Sequence, residues 1–528
     1  MEIIYGDKSP KLKATTSRRT PNTNFKTMKN LSAKSIVEKI KSKEISSREA
    51  TEYFIDKIEE VNPAINAVVV KRYEAALKEA DQADKQIVNG ETNGRLHGLP
   101  FTIKECFDLT GTPSTLGLER RKNDFPKTTD PYISKLQSEG GIVIGKTNVP
   151  QILMCYESEN PVYGVTKNPH NPAHVCGGSS GGEGAIIAAG GSPLGIGSDI
   201  GGSLRSPAVF CGIKSIKPTM WRTVDHTRFL DYIPEIAINS VTGVMGNYVE
   251  DLDMMLQIMN EQAMTGRNEV RPLGNMNEVD VTKLKVGYFI SDGLFEPMPA
   301  VKRTLMEAVE KLKSNGVNVF EWTPPNLTKA EELFFKILSA DDAYLFKEPL
   351  GKEKPIPQIE GLIKLSNASP LTRNLLSGVA STLGQKGMKR FIKYFGGKGE
   401  EFRKQTENEL EEFRRNFLAQ MKTAEIDAIL SPPCALPAYL HRTSDKVGLG
   451  GMYMAMYNVL GFPAGVVTTS KVKPEEAVPR KKTLDIAVRT AAKIEASSSG
   501  LPLAIQIAAK PWQEHIVFAL MQCVQNAK

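Results

Sequence analysis

The sequence predicts an α/β fold in which one large, mixed and mostly parallel β-sheet is covered by helices on both faces. Two observations predict this class: short apolar runs alternate with helical segments along the chain, and neither an internal repeat nor a long linker interrupts them. With 528 residues, of which 41% are hydrophobic, the chain can bury a sizeable core. We therefore expect residues 31–528 to form a single domain with insertions.

Local signals define the elements of the first half. A helix is predicted after Ser46, because Ser46 and Glu49 form a capping box, apolar residues recur at helical spacing, and Pro63 stops the run. Short apolar runs and further helical patterns then alternate. The predicted helices are 46–63, 73–87 and 132–141, and the predicted strands are 65–70, 99–105 and 142–145.

The second half continues the alternation of strands and helices. Residues 470–498 are rich in Lys, Glu and Ala without a clear apolar period, so we expect an exposed insert there. The predicted elements are a strand from about residue 283, an amphipathic helix at 301–315, a strand at 318–322, a long charged helix at 402–421, a strand at 424–433, and a last strand at 501–509 followed by a helix.

Charge and composition exclude several classes of protein. The net charge is +7, and residues 1–30 alone carry seven Lys or Arg against two acidic residues. The rest of the chain is therefore nearly neutral, which argues against a nucleic-acid-binding face, and the basic tail 1–30 is expected to be flexible. No apolar run is long enough for a transmembrane helix, and the N-terminus lacks the apolar centre of a secretory signal. Six scattered cysteines are typical of reduced thiols in a cytosolic protein.

Three short motifs suggest other chemistries, and each fails a test of context. Residues 140–147, GGIVIGKT, match a phosphate-binding loop, but their β-branched interior is typical of a strand and no helical pattern follows. His170, His174 and Cys176 are close in sequence, but intervening prolines prevent the helical turn that would align the histidines on a metal. Residues 177–181, GGSSG, match the nucleophile elbow of α/β-hydrolases, yet no downstream histidine lies in a recognisable setting.

Serine chemistry without histidine needs another activating group, and Lys104 is the candidate. A lysine or a metal can activate a serine, and Lys104 ends the apolar strand LPFTIKE, where a solvated lysine is not expected. Alternatively, Lys104 extends its ammonium group to solvent from the strand end, or pairs with Glu105 or Asp108. The residues alone leave both interpretations open.

Longer motifs link the glycine- and serine-rich segment to a known family. GGSSGGEGA, GSDIGGSLRSPA and CGIKSIKPT together resemble the amidase signature family, and FTIKE resembles that family's lysine-bearing strand. MYNVLGFPAGVV and GLPLAIQIAAKPWQE extend the likeness from about residue 40 to the C-terminus. Within the family, the motifs are most similar to those of fatty acid amide hydrolases. The resemblance implies an amidase-signature type of α/β fold.

The resemblance also implies a role for each residue of a Ser-Ser-Lys triad. Ser203 matches the nucleophile that forms the acyl-enzyme, Ser179 matches a bridging serine that follows a cis peptide, and Lys104 matches the base. Lysine has an ordinary pKa near 10.4, so burial must lower the pKa of Lys104 substantially for activity near neutral pH. Tight turns at glycine allow successive amides to face one oxyanion. The amides that match the family's oxyanion hole are those of Ile200, Gly201, Gly202 and Ser203.

Other residues near these motifs carry weaker expectations. Segment 149–164 resembles the lining of the acyl-binding channel, with Leu153, Met154 and Tyr156 at its pocket positions, although ordinary core packing explains these three equally well. Ser180 either shapes the bridge to the nucleophile or caps the following helix. Two charged residues that flank the nucleophile are expected to orient it structurally, namely Asp199 and Arg205.

We expect a serine hydrolase that cleaves carboxylic amide bonds through this triad, with fatty acyl amides such as N-acylethanolamines as substrates. The alternatives are an amidase for small aryl or aliphatic amides, an A-type amidotransferase subunit, and a binding protein on an amidase scaffold. The intact Lys104, Ser179 and Ser203 argue against a scaffold that has lost its activity. An acyl amide is the expected small-molecule partner, and no cofactor, metal or nucleic acid is expected.

One segment bears on location. Residues 371–398 carry an apolar stripe with basic residues beyond it, which predicts either an interfacial helix beside the substrate entrance or a buried surface helix. We therefore expect a cytoplasmic protein, with peripheral membrane contact as the open alternative. We also expect a homodimer.

Overall fold

The computed structural model describes residues 28–227, 237–265, 267, 269–340, 344–396 and 399–526. In the described residues, eleven strands form one sheet and two short strands form a second one. The strands are β1 (Val68–Lys71), β2 (Pro100–Lys104), β3 (Ile142–Thr147), β4 (Glu159–Asn160), β5 (Gly164–Val165), β6 (Leu194–Asp199), β7 (Lys214–Lys217), β8 (Val241–Gly246), β9 (Lys285–Tyr288), β10 (Asn318–Glu321), β11 (Ala428–Ser431), β12 (Ala464–Lys471) and β13 (Pro502–Ala509).

The large sheet is mixed, as predicted, but it is not mostly parallel. Its strand order is β1-β3-β2-β6-β8-β7-β12-β13-β11-β9-β10. Four neighbouring pairs of described strands are parallel, in the two groups β3-β2-β6 and β11-β9-β10. The other six pairs are antiparallel and include the whole centre of the sheet from β6 to β11. Strand direction depends on how each connection returns to the sheet, which apolar runs do not encode.

Helices flank the sheet, and the burial of its strands shows that both faces are covered. Successive side chains of a strand point to opposite faces, and every residue of β2, β6 and β13 is buried. The helices are α1 (Ala33–Lys41), α2 (Ser47–Ile65), α3 (Tyr73–Val88), α4 (Pro131–Ser138), α5 (Gly181–Ala188), α6 (Arg205–Cys211), α7 (Val249–Met264), α8 (Pro299–Ser314), α9 (Leu327–Ser339), α10 (Tyr344–Leu350), α11 (Pro357–Asn367), α12 (Pro370–Thr382), α13 (Lys386–Tyr394), α14 (Glu400–Thr423), α15 (Ser444–Val447), α16 (Met452–Val459), α17 (Ile486–Ala496) and α18 (Glu514–Asn526).

The start of α2 follows the predicted capping box, but its end does not follow the prediction. Ser46 accepts from the Glu49 amide at 2.9 Å, and the Glu49 carboxylate accepts from the Ser46 amide at 2.8 Å. Pro63 lies inside the last turn and does not stop the helix, which ends at Ile65 and is capped by Asn66 in a left-handed conformation. The strand predicted at 65–70 is correspondingly displaced to β1.

Predicted peripheral segments are only partly as expected. Of the tail 1–30, residues 1–27 lie outside the described residues. In the predicted exposed insert 470–498, most residues up to 489 are exposed or half-buried, but α17 packs Ala491, Ala492 and Ile494 into the interior. A helix with small apolar residues on one side buries that side even without a strong apolar period. Within the described ranges, no helix combines the length and apolar character needed to cross a bilayer.

Candidate active site

The candidate catalytic residues lie where neighbouring strands end. Lys104 is the last residue of β2, and Ser198 lies near the end of β6, which pairs with β2 in parallel. Ser179 lies just before α5, and Ser203 lies in the turn between β6 and α6. Because the carboxyl ends of adjacent parallel strands meet at one edge of a sheet, these four polar side chains share one region.

Lys104 is fully buried, and its partners are hydroxyl groups. Its Nζ lies 2.7 Å from Ser179 Oγ and 2.9 Å from Ser198 Oγ, with 0% of the side chain exposed. The alternatives of a solvated lysine or of pairing with Glu105 are therefore wrong, since the Glu105 carboxylate instead accepts from the amides of Thr115 and Leu116. Burial lowers the pKa of Lys104 below its ordinary value, which favours the neutral amine.

Glu183, on α5, is a second buried ionisable group near Lys104. Burial raises the pKa of Glu183 to about 8, although hydroxyl donors on two strands counteract the shift. Thr102 Oγ1 donates to its carboxyl group at 2.6 Å and Thr147 Oγ1 at 2.9 Å. The charge of Glu183 raises the pKa of Lys104, but burial lowers that pKa by more.

The segment around Ser179 has the backbone that the resemblance implied. The Gly178–Ser179 peptide is cis, and the Ser180 amide donates to the Ser203 carbonyl at 3.1 Å. Ser180 Oγ donates to the Ser198 carbonyl at 3.4 Å and does not cap α5, so the predicted capping role is wrong. Among the hydrogen bonds of the described residues, none joins the hydroxyls of Ser179 and Ser203 directly.

The turn from Ile200 to Ser203 carries backbone amides without a partner. In the described part of the chain, the amides of Ile200, Gly201 and Ser203 make no hydrogen bond. The Gly202 amide donates to Asp199 Oδ1 at 2.8 Å, so of the four amides expected in the oxyanion hole, only three are available. A group of unpartnered N–H donors is suited to stabilise an oxyanion.

The peptide that joins Gly201 to Gly202 is held at both ends. Tyr156 Oη donates to the Gly201 carbonyl oxygen at 2.5 Å, and Asp199 accepts from the Gly202 amide on the opposite side. Gly202 has a φ of +116°, and a Cβ at Gly201 would lie 2.7 Å from the Phe334 ring. The positive φ favours glycine at position 202, a side chain at position 201 would displace the Phe334 ring, and the fixed peptide plane orients the free amides on either side of it.

Asp199 and Arg205 form a buried ion pair that supports this turn, in agreement with their expected structural role. Arg205 Nη2 lies 3.0 Å from Asp199 Oδ1, and both side chains are fully buried. Although burial opposes ionisation, the charge and hydrogen bonds of Arg205 hold the pKa of Asp199 well below its usual range. Arg205 also donates to Asn458 and Gln506, at 2.6 and 2.8 Å.

Ser203 opens into a large, mostly apolar cavity of about 640 Å³. The predicted pocket residues Leu153, Met154 and Tyr156 line this cavity, as do Ile200 and Gly201. Further lining residues outside the segments that the sequence singled out include Phe334, Phe335, Leu338, Phe346, Leu362, Leu365, Leu449 and Met452, and the predicted segment 371–398 contributes Phe391, Ile392 and Phe395. We refer to this volume as the apolar cavity.

The apolar cavity extends to helices α12 and α13, whose apolar residues are exposed. Leu376 and Met388 line the cavity and are also exposed to solvent. Leu371 and Leu375 continue the stripe, with 81% and 70% of their surface exposed. The alternative of a buried surface helix in 371–398 is therefore wrong, and residues 397–398 lie outside the described residues.

Comparison with known proteins identifies the family to which the chain belongs. The Amidase family model matches residues 49–518. Fatty-acid amide hydrolase 1 of Sus scrofa is 31% identical over 507 residues, which cover 93% of this chain and 84% of that protein. Fatty-acid amide hydrolase 2-A of Danio rerio is 30% identical over 538 residues, covering 98% and 92% respectively. A solved structure of a fatty acid amide hydrolase shares the fold with a TM-score of 0.79 at 24% identity, covering 96% of this chain and 86% of that one.

The fold and these relatives define an amide-hydrolysing enzyme. The chain belongs to the Amidase family, whose signature motifs the sequence resembles. The predicted α/β fold of amidase-signature type is thereby confirmed.

Proposed function

We propose that this enzyme hydrolyses amides of long-chain acyl groups, with Ser203 as nucleophile, Ser179 as proton bridge and Lys104 as base. The observation that carries the proposal is the fully buried Lys104, which bonds to Ser179 at 2.7 Å. A lysine without solvent or a carboxylate partner at its Nζ is suited to act as a neutral base. Ser203 faces an apolar cavity large enough for a hydrocarbon chain.

The proposed reaction proceeds through an acyl-enzyme. Neutral Lys104 accepts a proton from Ser179 while Ser179 accepts one from Ser203, whose oxygen attacks the amide carbon. The amides of Ile200, Gly201 and Ser203 stabilise the oxyanion that forms. The relay then runs in reverse and protonates the leaving amine as the C–N bond breaks. Water finally hydrolyses the Ser203 ester.

The lining of the cavity supports a long acyl chain over a small amide. Aromatic side chains from α9, α10 and α13 contact one another along it, with ring centroids of Phe335 and Phe391 4.9 Å apart and those of Phe391 and Phe395 5.2 Å apart. Each added methylene that such a wall removes from water contributes about 0.8 kcal/mol of binding. Fatty acyl amides, among them N-acylethanolamines, are therefore favoured over small aryl or aliphatic amides and over amidotransferase substrates.

A panel of primary amides and N-acylethanolamines with acyl chains from acetyl to oleoyl tests this proposal. We expect kcat/KM to rise with chain length in the wild-type enzyme and to vanish in Ser203→Ala. Ser192→Ala, which removes a hydroxyl that donates to the Leu194 carbonyl away from the cavity, is the matched control. A maximum at acetyl or benzoyl amides would contradict the substrate class, whereas full activity of Ser203→Ala would contradict the mechanism.

We extend the proposal to the route by which substrate arrives. The exposed apolar stripe of α12 lies beside residues that line the apolar cavity, which supports peripheral contact with a membrane that holds the acyl amide. Flotation with phosphatidylcholine vesicles should carry the wild-type protein but not a Leu371→Glu, Leu375→Glu double variant. Val88→Glu, at a similarly exposed apolar position on α3, should still float. A wild-type protein that stays wholly in the soluble fraction would contradict this route.

Location in the cytoplasm and the homodimer stay predictions. Sedimentation equilibrium of the full chain measures the mass in solution directly. A mass twice that of the 58.0 kDa chain would support the homodimer, and the monomer mass would contradict it.

A further inference from the structure

Two buried polar side chains in the apolar cavity each keep an atom without a partner. Gln358, on α11, is 4% exposed, Ser444, at the start of α15, is 5% exposed, and both line the cavity together with Ser203. Among the described residues, Gln358 Oε1 and Ser444 Oγ have no hydrogen-bond partner. Among the unpartnered buried side-chain atoms of the described residues, these two are the ones whose residues line the apolar cavity, where a ligand can supply the missing bonds.

Glu157 contacts both residues, through the side-chain amide of Gln358 and the backbone amide of Ser444. Gln358 Nε2 donates to Glu159 Oε2 at 2.7 Å and to Glu157 Oε2 at 3.3 Å. Only the NH₂ group of an amide can donate to carboxylates, so the Gln358 oxygen points away from them. The Ser444 amide donates to Glu157 Oε1 at 2.8 Å, which holds Ser444 against the same carboxylate.

The chemistry of the two free atoms selects the group they bind. Gln358 Oε1 only accepts hydrogen bonds, whereas Ser444 Oγ can both donate and accept. A ligand hydroxyl suits either atom, because its O–H can donate to Gln358 Oε1 and its oxygen can accept from Ser444 Oγ. An anionic group cannot donate to Gln358 and would approach the carboxylates of Glu157 and Glu159. An ether or ketone oxygen likewise leaves Gln358 unpaired.

We propose that Gln358 and Ser444 form a polar subsite that binds a hydroxyl group carried by the acyl amide substrate. This inference rests on the proposed function, because it assigns a substrate to the same cavity. Glu157 directly follows Tyr156, whose hydroxyl contacts the turn at Gly201, so the subsite is joined through the chain to the residues around Ser203. The hydroxyl belongs either to the amine side of the substrate, as in an ethanolamide, or to an oxygenated acyl chain.

Calorimetric binding to the full-length Ser203→Ala variant tests the subsite without requiring hydrolysis. One pair of probes is N-(2-hydroxyethyl)decanamide and N-propyldecanamide, which differ by a hydroxyl in place of a methyl on the amine side. The other pair is decanamides that carry a hydroxyl or a methyl at the same carbon of the acyl chain, prepared for several carbons. We expect the hydroxyl probe of one pair to bind about tenfold tighter than its methyl partner.

Two substitutions in the Ser203→Ala background remove the subsite separately. Ser444→Ala deletes only the unpartnered hydroxyl, because the backbone amide that bonds to Glu157 remains, and Gln358→Met removes the acceptor. Each should reduce the hydroxyl preference to about twofold or less while leaving the affinity for the methyl probe unchanged. Ser366→Ala, on the same helix as Gln358 but bonded to the Ile363 carbonyl outside the cavity lining, should keep the full preference.

Equal affinity within both probe pairs would overturn the subsite and would indicate that water satisfies the two side chains. A preference for the hydroxyl probe that survives in both Ser444→Ala and Gln358→Met would also overturn the subsite. If one variant folds poorly, the other variant still provides the test. Failure of the wild-type enzyme to hydrolyse plain decanamide contradicts the proposed function alone, because the binding comparison does not depend on turnover. Failure of every probe to bind would overturn both.

Discussion

Tyr156→Phe tests whether the peptide between Gly201 and Gly202 must be held in place for catalysis. The substitution removes the hydroxyl that donates to the Gly201 carbonyl at 2.5 Å. It keeps the ring, which packs so closely on Gly451 that a Cβ there would lie 2.5 Å from it. The fold around the ring is therefore preserved, and the lost interaction is a single hydrogen bond.

The size of the effect follows from that one bond. A buried carbonyl that loses its partner costs about 1–3 kcal/mol. If this free-energy cost applies in the transition state, when the flanking amides bind the oxyanion, kcat falls by about 5- to 150-fold. Complete loss of one oxyanion donor costs about 10²- to 10³-fold, which sets the upper limit. KM should change little, because the apolar contacts of the acyl chain remain.

Steady-state kinetics on a saturating acyl amide separate kcat from KM. Tyr73→Phe is the matched control, since its hydroxyl bonds to Glu59 on the surface, away from the cavity. We expect wild-type kinetics from the control and a lowered kcat from Tyr156→Phe. An unchanged kcat in Tyr156→Phe would refute the reasoning, as would a loss confined to KM, which would mean that Tyr156 serves only as a wall of the cavity.

Three further predictions concern buried residues close to the turn that carries Ser203. Because neutral Lys104 is the active form and burial lowers its pKa, kcat/KM should rise with pH and reach half its maximum below the ordinary lysine value, and Lys104→Ala should lower it by about 10²- to 10⁴-fold across that range. Ser198→Ala removes a hydrogen-bond acceptor of the Lys104 ammonium, so the pH–rate midpoint should move to lower pH, and an unmoved midpoint would contradict an influence of Ser198 on the pKa of Lys104. Arg205→Met leaves the Asp199 carboxylate buried without its counter-ion and should lower the free energy of unfolding in urea by about 3–5 kcal/mol, whereas a loss below about 1 kcal/mol would contradict a structural role for the pair.

The sequence singles out the candidate residues of the site more readily than it indicates their surroundings. Lys104, Ser179 and Ser203 occur in long motifs whose likeness to a family assigns each a role. Ser198 lies within one of those motifs but carries no local signal. Its contact with Lys104 depends on the parallel pairing of β2 with β6, which places Ile103 beside Ile196. Such register is a property of the folded sheet and not of either strand alone.

The lining of the apolar cavity also depends on contacts that the sequence does not reveal. Leu153, Met154 and Tyr156 were expected in the acyl channel because they lie in a recognisable segment. Gln358 and Ser444 lie outside every motif in the sequence, and only the tertiary fold brings them to Glu157. The apolar stripe at 371–398 was visible from its helical spacing, but spacing alone does not tell whether such a stripe faces the core or solvent.

Covalent labelling tests the central claim, that Ser203 is the nucleophile and that Lys104 activates it through Ser179. The wild-type enzyme is treated with an alkyl fluorophosphonate, and the modified residue is located by mass spectrometry of its peptides. We predict a single adduct on Ser203, its absence in Ser203→Ala, and labelling slowed by about 10²-fold or more in Lys104→Ala. An adduct on Ser179 or Ser180, or undiminished labelling of Ser203→Ala, would contradict the account.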